Sequence, residues 1–302
     1  MAKILVTGGN GFLGKHLVSR LRENGHETYV PSHSWFDLRD SHRVEVLYEE
    51  VKPSVVIHAA ALCGGIQVCS DNPGSFLYDN LKMGLEVMEG ARIHKVKKFV
   101  LISSVCAYPL QVSLPAKEEE LWRGYPEETN APYGLAKRVL ISQAQAYRKQ
   151  YGLNAISLIP ANMYGPGDKF ELATAHVIPS LIRRFVEAKG DVMVWGSGSV
   201  SREFLYVEDC ADAIVKATEL YDKPEPVNIG TGKETTIKEL VEEIVKATDF
   251  KGNVVWDSTK PEGQPRRLFD VSRAEKEFGF KANVGLKDGI KRTVAWFLKN
   301  NV

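Results

Sequence analysis

The sequence predicts an α/β fold, a doubly wound parallel sheet followed by a smaller C-terminal α/β lobe. Over the first half of the chain, apolar runs typical of buried strands alternate with amphipathic helical segments. After about residue 165, helices, short strands and basic loops replace that alternation. We therefore expect a Rossmann-like domain over residues 1–165, which a later segment at about 200–230 rejoins, and a second lobe over residues 166–302.

Each element of the first half has its own local signal. The first strand is a continuous apolar run that ends at glycine, the pattern of a strand covered on both faces. In the first helix Leu13, Leu17 and Leu21 recur at helical spacing, and Gly25 is placed to end it. The predicted strands are AKILVTGG, HETYVPS, SVVIHAAA, KFVLISS and AISLIPA. The predicted helices between them are GFLGKHLVSRLRENG, HRVEVLYEEV, NLKMGLEVMEGARIHKV and APYGLAKRVLISQAQAYRKQYG.

Composition excludes several classes of protein. The 302 residues carry a net charge of +1, so no overall field attracts nucleic acid or an anionic membrane. No apolar run is long enough to span a bilayer, and the N-terminus enters a strand without a signal-peptide core. The four cysteines are scattered, without the spacing of a metal site or a disulfide scaffold. We expect a cytoplasmic protein with reduced thiols and no bound metal.

A glycine-rich loop joins the first strand to the first helix. In VTGGNGFLG the glycines Gly8, Gly11 and Gly14 permit a tight turn, a close approach to a pyrophosphate and helix packing on the strand. Free amides and the positive end of the helix then hold the diphosphate of a dinucleotide. The cofactor residues predicted in this loop are Gly8, Asn10, Gly11, Phe12, Leu13 and Gly14.

The end of the second strand bears on the choice between NAD and NADP. An acid there binds the ribose 2′-hydroxyl, whereas an arginine holds a 2′-phosphate. This segment instead has Ser32 and His33, with no acid before Asp37. The missing acid favours NADP(H), and the missing arginine leaves NAD(H) open. Asp37 and Leu38 are better placed for the adenine.

A tyrosine and a lysine form the pattern Y-x-x-x-K. Tyr133 and Lys137 lie on one face of a predicted helix, so the ammonium is expected to lower the phenol pKa for proton donation to a carbonyl oxygen. Such pairs also arise on solvated helix faces. Ser104 raises the significance of this pair, since it follows an earlier strand and should reach the same edge of the sheet.

The glycine loop, the HAAA strand end, Ser104 and the Tyr133/Lys137 pair together resemble the extended short-chain dehydrogenase/reductase family. The resemblance covers essentially the whole chain. It implies NAD(P)-dependent hydride transfer at a carbon of a nucleotide sugar, with binding of that sugar by the lobe over residues 166–302. The further cofactor residues that it implies are Ala59, Ala60, Ala61, Tyr133, Lys137, Pro160, Asn162, Met163 and His176.

Longer stretches resemble one branch of that family, the GDP-L-fucose synthases. These stretches are CGGIQ, SSVCAYP, HVIPSLIRRF, VWGSGSVSREFLYV and KPEGQPRR. The resemblance implies C3/C5 epimerisation and C4 reduction of GDP-4-keto-6-deoxy-D-mannose, with Cys106 and His176 exchanging protons beside the ketone. Because residues two apart on an extended chain share a face, Ser104 and Cys106 are expected to point the same way.

The same resemblance implies a set of substrate-binding residues. Arginine forks suit a diphosphate, and an exposed tryptophan can pack on a nucleobase. The residues are Asn162, Arg184, Trp195, Arg202, Lys260 and Arg266. Each could equally be a surface charge, a core residue or a turn cap. The apolar helices around NLKMGLEVMEG and GLAKRVLISQAQ also suggest a homodimer.

Two departures keep other functions open. Asn10 and His33 stand where these synthases usually carry basic residues associated with the 2′-phosphate. One alternative is a 4-reductase or epimerase of another nucleotide sugar, such as a GDP-6-deoxyheptose or a UDP- or dTDP-hexose. Another is a regulatory protein that senses a dinucleotide without catalysis, although such sensors commonly lose the Tyr/Lys pair that is present here.

Overall fold

A parallel sheet of six strands forms the centre of the molecule. The structure is a computed structural model that describes residues 1–260 and 264–300. The sheet strands are β1 (Lys3–Thr7), β2 (Glu27–Tyr29), β3 (Val55–His58), β4 (Lys98–Ile102), β5 (Ala155–Pro160) and β10 (Val227–Ile229). Their spatial order is β10-β5-β4-β3-β1-β2, and every neighbouring pair is parallel. This confirms the doubly wound α/β fold.

The order of the strands fixes where a ligand can bind. From β1 the chain crosses outward to β2 and then returns to β3 on the other side of β1. Loops that leave β1 and β3 therefore diverge and open a crevice at the carboxyl edge of the sheet, the usual ligand site in such folds. The glycine loop follows β1 and the Ala59–Ala61 segment follows β3, so both line this crevice.

Ten helices are assigned within the described ranges. They are α1 (Phe12–Glu23), α2 (Ser41–Val51), α3 (Ile66–Asp71), α4 (Pro73–Ile93), α5 (Ala131–Tyr151), α6 (Val177–Glu187), α7 (Val207–Leu220), α8 (Ile237–Thr248), α9 (Ser272–Phe278) and α10 (Leu286–Asn300). Helix α1 packs against α7, whereas α4 packs against both α2 and α5. Asp40 caps α2 by accepting from the amides of His42 and Arg43, and Gly152 ends α5 in the left-handed conformation.

The C-terminal part of the chain has a second hydrophobic core. It includes Phe170, Ile182, Leu240 and Phe297, which come from the region between β6 and α10. Short strands flank it in pairs: β6 (Asn162–Tyr164) with β9 (Phe204–Tyr206), β7 (Val192–Trp195) with β12 (Val254–Asp257), and β8 (Ser201–Arg202) with β11 (Thr235–Thr236). Residues 205–229 and 269–280 contribute to the first core, around the sheet.

The chain after β4 differs from the sequence prediction. We expected an extended segment that would place Ser104 and Cys106 on one face. Instead residues 105–107 form a turn of 3-10 helix, because the Ser104 side chain accepts a hydrogen bond from the Cys106 amide and caps that turn. The shared-face argument is therefore wrong for this segment. In residues 1–260 and 264–300, we find no helix with the length and apolar character needed to cross a membrane.

Candidate active site

The glycine loop packs closely on the sheet because Gly8 and Gly14 lack side chains. Gly8 has a φ of +73°, and a Cβ added there would lie 2.6 Å from the Ala60 nitrogen. A Cβ added at Gly14 would lie 2.1 Å from the carbonyl oxygen of Gly8. The amide of Gly11 closes the turn by donating to that oxygen over 2.9 Å. The backbone of β1, α1 and the segment after β3 therefore meets in a tight cradle at the start of α1.

Hydrogen bonds between buried polar groups at the ends of β1 and β3 fix the spacing of this cradle. The Thr7 hydroxyl lies 2.8 Å from Nδ1 of His58, so it links the ends of β1 and β3. The amide of Ala60 donates to the same hydroxyl over 3.4 Å, and the amide of Ala59 donates to the Thr7 carbonyl over 3.1 Å. Burial lowers the pKa of His58 to about 3, so the imidazole is neutral near pH 7.

The segment after β2 contains an exposed turn and a salt-bridged aspartate. The hydroxyls of Ser32 and Ser34 lie 2.8 Å apart, and His33 between them is exposed. Asp37, predicted to meet the adenine, accepts hydrogen bonds from the guanidinium of Arg39, which lowers the pKa of this carboxyl to about 2. The predicted residue Leu38 is buried.

Ser104 and Tyr133 meet at the carboxyl end of β4. The Ser104 hydroxyl is hydrogen-bonded to the Tyr133 phenol and also accepts from the Cys106 amide over 3.2 Å. Helix α5 comes this close because residue 134 is glycine: a Cβ there would lie 2.1 Å from the Cys106 carbonyl oxygen. The ring of Phe76 packs edge-on against Tyr133, with 6.4 Å between ring centroids. The Cys106 side chain is half-buried beside this pair.

Lys137 lies one helical turn beyond Tyr133 and is 2% exposed. Its Nζ donates to the Ile102 carbonyl at the end of β4 over 3.0 Å and lies 5.7 Å from the Tyr133 ring centroid. Burial lowers the pKa of Lys137 to about 8, which the nearby Cys63 thiol group opposes. The ammonium is thus fixed between the sheet edge and the phenol.

The expected lowering of the Tyr133 pKa is not found. Burial raises this pKa well above its usual value, and the sulfur atoms of Cys63 and Cys106 add to the effect. Only the hydrogen bond with Ser104 opposes the rise among the main influences. The spacing of the Tyr/Lys pair was identified from sequence, but the burial that dominates the pKa of Tyr133 arises only in the folded protein. Tyr133 therefore holds its proton at neutral pH.

His176 stands at the N-terminus of α6, with no hydrogen bond from its side chain to the helix amides. Desolvation by surrounding protein atoms lowers the pKa of His176, and the charge of Lys169 lowers it further, although the residue as a whole is exposed. The same lysine also acts on Cys63. The Gly65 amide donates to the Thr174 carbonyl over 3.2 Å, so the loop with Cys63 touches the loop that leads to His176.

Cys63 was not among the predicted site residues. It is exposed, and it interacts electrostatically with Lys137, Lys169 and Cys106. Burial of the sulfur among protein atoms raises its pKa, while the two lysines oppose that rise. Its loop is held by Asn80, a buried amide on α4 that donates to the Leu62 carbonyl and accepts from the Leu62 amide. The helical spacing of Asn80 gives no signal of its own, because α4 also carries Asp79, Lys82 and Glu86.

The predicted substrate residues of the second lobe fall into two groups. Trp195 is 61% exposed at the end of β7, and the Lys260 ammonium lies 5.8 Å from the centroid of its ring. The guanidinium of Arg184 donates to the Met193 carbonyl of the same strand. These three side chains form one polar and aromatic surface. The part of KPEGQPRR at residues 261–263 lies outside the described residues.

The second group contains two neighbouring arginines. Arg202 is half-buried, and burial together with the positive charge of Arg267 lowers its pKa to about 10. Arg266, also among the residues predicted near the diphosphate, instead makes two hydrogen bonds of 2.7 and 2.6 Å to Glu234. The structure therefore places Arg267 near Arg202, while Arg266 is turned toward a carboxylate. Two adjacent arginines in an irregular loop gave no pattern from which to choose between them.

The remaining predicted residues follow β5. Pro160 ends that strand, and Asn162 and Met163 belong to β6. The side chain of Asn162 donates to the Glu203 carbonyl over 3.0 Å and so joins the start of β6 to the residue before β9. Glu203 is itself buried and accepts from the amides of Gly232 and Phe269. In the described ranges, no three His, Cys, Asp or Glu side chains are grouped so as to hold a metal ion.

Comparison with known proteins agrees with this geometry. Residues 4–230 match the model of the NAD dependent epimerase/dehydratase family. This chain belongs to that family. A relative from Arabidopsis thaliana, a putative GDP-L-fucose synthase 2, is 43% identical, and the match covers 100% of this chain and 93% of the relative.

Two solved structures are similar over nearly their whole length. A GDP-6-OMe-4-keto-L-xylo-heptose reductase from C. jejuni has a TM-score of 0.94 and 29% identity, covering 99% of this chain and 98% of the other. A GDP-L-fucose synthetase from Naegleria fowleri bound to NADP has a TM-score of 0.90 and 29% identity, covering 99% and 94%. The predicted membership of the epimerase/reductase family and its nicotinamide dinucleotide cofactor are thus confirmed.

Proposed function

We propose that this protein converts GDP-4-keto-6-deoxy-D-mannose to GDP-L-fucose by epimerisation at C3 and C5 and NADPH-dependent reduction at C4. The observation that carries the proposal is the meeting of Ser104, Tyr133 and Lys137 with the thiol of Cys106 at one sheet edge. A reductase alone needs the first three groups. The thiol, and the histidine on the adjoining loop, suit the extra proton transfers of an epimerase.

The cradle of the glycine loop fits the diphosphate of a dinucleotide. A Cβ at Gly8 or Gly14 would collide with backbone atoms, so only glycine lets the loop turn this closely into α1, whose N-terminal amides would hold the diphosphate. A bound dinucleotide would supply the hydride that reduces the ketone carbon. The glycine loop would hold its diphosphate, and Lys137 would orient its nicotinamide ribose. Of the two forms, NADP(H) is favoured, because no acid lies between Val30 and Phe36 at the end of β2.

Reduction requires a proton at the C4 oxygen. Tyr133 retains its proton at neutral pH and is hydrogen-bonded to Ser104, so both hydroxyls can point at one substrate oxygen. The ammonium of Lys137 then stabilises the phenolate that forms when the proton is donated. The burial that raises the resting pKa of Tyr133 does not prevent this, since the proton moves toward a strongly basic alkoxide.

Epimerisation precedes reduction while the C4 ketone is present. The ketone acidifies the hydrogens at C3 and C5, so one group removes a proton and another returns one on the opposite face. Cys106 and His176 are proposed as that pair. The lowered pKa of His176 keeps its imidazole neutral near pH 7, a form that can accept a proton.

The second lobe is proposed to bind the nucleotide part of the substrate. Arg202 and Arg267 would hold the diphosphate, since two like charges brought close together are stabilised by an anion between them. Trp195 offers an exposed face for the guanine, and Lys260 and Arg184 lie beside it. Arg266 is paired with Glu234, so we assign it no direct role.

The test is turnover in deuterated water. Incubated with GDP-4-keto-6-deoxy-D-mannose and NADPH, the protein should form GDP-L-fucose that carries deuterium at C3 and C5. Product without deuterium at those carbons would exclude the epimerase activity. No product with NADPH or NADH, from protein that binds either dinucleotide, would exclude the reductase activity on this sugar.

A second candidate is reduction of a GDP-linked 4-keto-heptose. It is favoured by the TM-score of 0.94 to a C. jejuni reductase of such a sugar. The two substrates differ in chain length at C6, so comparing kcat/KM for both under identical conditions distinguishes them. A higher value for the heptose would make the hexose the secondary substrate.

A homodimer in the cytoplasm remains part of the proposal. Leu77 and Tyr78 on α4 and Val139 on α5 are exposed apolar side chains on two helices that pack together. Pairing of these helices across a twofold axis would cover them. A single species near 33.6 kDa in a sedimentation experiment at micromolar concentration would contradict the dimer.

A further inference from the structure

Arg39 connects two carboxylates at one end of the crevice. It lies between β2 and α2, and its Nε and terminal nitrogen donate to the two oxygens of Asp37 over 3.0 and 2.8 Å. Its other terminal nitrogen donates to Asp79 of α4 over 3.1 Å. One guanidinium therefore ties the loop after β2 to α4 and compensates part of two negative charges.

These charges lie where the adenosine half of a dinucleotide binds in such folds. That half meets the end of β2, here followed by the exposed Ser32 to Ser34 turn. Asp37 is the only acid between Val30 and Arg39 in the sequence. Arg39 holds the pKa of Asp37 at about 2, so the carboxylate is fully ionised at neutral pH. Two carboxylates without a counterion would repel a 2′-phosphate far more than a 2′-hydroxyl.

We propose that Arg39 sets the cofactor preference of this chain by compensating Asp37 and Asp79, so that a dinucleotide with a 2′-phosphate is admitted. The inference rests on the proposed dinucleotide binding and adds the residue that determines which dinucleotide is preferred. Arg39 acts through the two carboxylates, so it is a positioning residue rather than a ligand of the phosphate. Two further ionisable groups lie nearby: His33, whose charge acts on Asp37, and Asp40, which caps α2.

The experiment compares dissociation constants for NADPH and NADH, measured by calorimetry without substrate. Arg39→Leu should weaken NADPH binding about tenfold and NADH binding less than about twofold, as expected for a unit charge acting over several ångströms near a surface. The difference should shrink in about 0.5 M salt, where such interactions are screened. Arg148→Leu is the matched control, because that arginine also pairs with an aspartate, Asp222, but beside β5.

A triple variant separates compensation from direct contact. Asp37→Asn, Asp79→Asn and Arg39→Leu together should restore the ratio of the NADPH and NADH dissociation constants to within about threefold of wild type, since no uncompensated carboxylate remains and a lost adenine contact weakens both dinucleotides equally. Equal losses of NADPH and NADH in Arg39→Leu, or no recovery in the triple variant, would overturn the inference. If Arg39→Leu unfolds, Arg39→Lys takes its place in the experiment and should keep the preference for NADPH. A preference of Arg39→Lys for NADH would also overturn the inference. Wild-type protein that binds neither dinucleotide would instead refute the proposed function.

Discussion

The sheet side and the lobe side of the proposed binding site are built from different parts of the chain. On the sheet side, backbone atoms around Gly8, Gly14 and Ala60 form the cradle, and buried hydrogen bonds hold them at fixed spacing. On the lobe side, long side chains such as Arg202 and Lys260 form the surface, and they project from short strands and loops. The first side should therefore tolerate no added atom, whereas the second should lose affinity gradually as single side chains are removed.

The largest effect is expected from adding one methyl group to the cradle. Gly14→Ala places a Cβ 2.1 Å from the Gly8 carbonyl oxygen, so the loop or α1 must move. We expect a loss of roughly 3 kcal/mol in the free energy of unfolding and no measurable NADPH binding. Gly74→Ala is the control, because nothing lies within 4 Å of a Cβ there. Normal NADPH affinity in Gly14→Ala would show that the sheet side is not rigid.

Removal of the Tyr133 hydroxyl should separate the two reactions. Tyr133→Phe should slow C4 reduction by about 10² to 10⁴-fold, the usual contribution of a positioned acid. Exchange of the C3 and C5 hydrogens with deuterated water should persist, because the thiol of Cys106 is unchanged. The measurement is product formation against solvent deuterium in the recovered keto sugar. Loss of both activities to the same extent would contradict the separate roles.

The pH dependence of C4 reduction should reflect the titration of Lys137. Its pKa in the folded protein is about 8 against 10.5 ordinarily, so the ammonium is lost as pH rises through about 8. We expect kcat/KM for reduction to fall above that pH, since this ratio reports the free enzyme. Stability should change in the opposite direction to activity. Between pH 8 and 10.5 the Lys137 amine binds a proton in the unfolded chain but not in the folded protein, so its contribution to the free energy of unfolding increases as the pH rises. Lys137→Arg should remove the alkaline fall, and an unchanged fall would assign it to another group.

The smallest effects are expected among the arginines of the lobe. Arg267→Ala should raise KM for the GDP-sugar about tenfold, the usual size of one lost charged hydrogen bond, with kcat little changed. Arg266→Ala should change KM less than about twofold, because its guanidinium is paired with Glu234 near the surface. The reverse ranking in steady-state kinetics would show that the pairing of Arg266 with Glu234 breaks when substrate binds.

The sequence was informative where function depends on the backbone. The spacing of Gly8, Gly11 and Gly14 predicted the cradle, since only glycine fits such close approaches. The i, i+4 spacing of Tyr133 and Lys137 also predicted that they share one face. Both patterns are local, so no knowledge of the tertiary structure was needed.

The sequence was less informative where tertiary contacts decide. One local hydrogen bond, from the Cys106 amide to the Ser104 side chain, favours a 3-10 helix at residues 105–107 over an extended strand. The raised pKa of Tyr133 arises from burial, which no spacing reveals. Asn80 and the Gly65–Thr174 hydrogen bond hold the loop that carries Cys63, and both are long-range contacts. Arg267 was indistinguishable from its neighbour Arg266 in an irregular segment.

The proposed function requires that Cys106 carry protons rather than fill space beside Tyr133 and Lys137. The test follows deuterium incorporation at C3 and C5 of the keto sugar in Cys106→Ser, with Cys69→Ser as control because that neighbouring thiol is buried and donates to the Gly64 carbonyl. We expect Cys106→Ser to lose most of the exchange at both carbons while its NADPH affinity stays at the wild-type value, and Cys69→Ser to keep both. Exchange at the wild-type rate in Cys106→Ser would show that this thiol carries no proton.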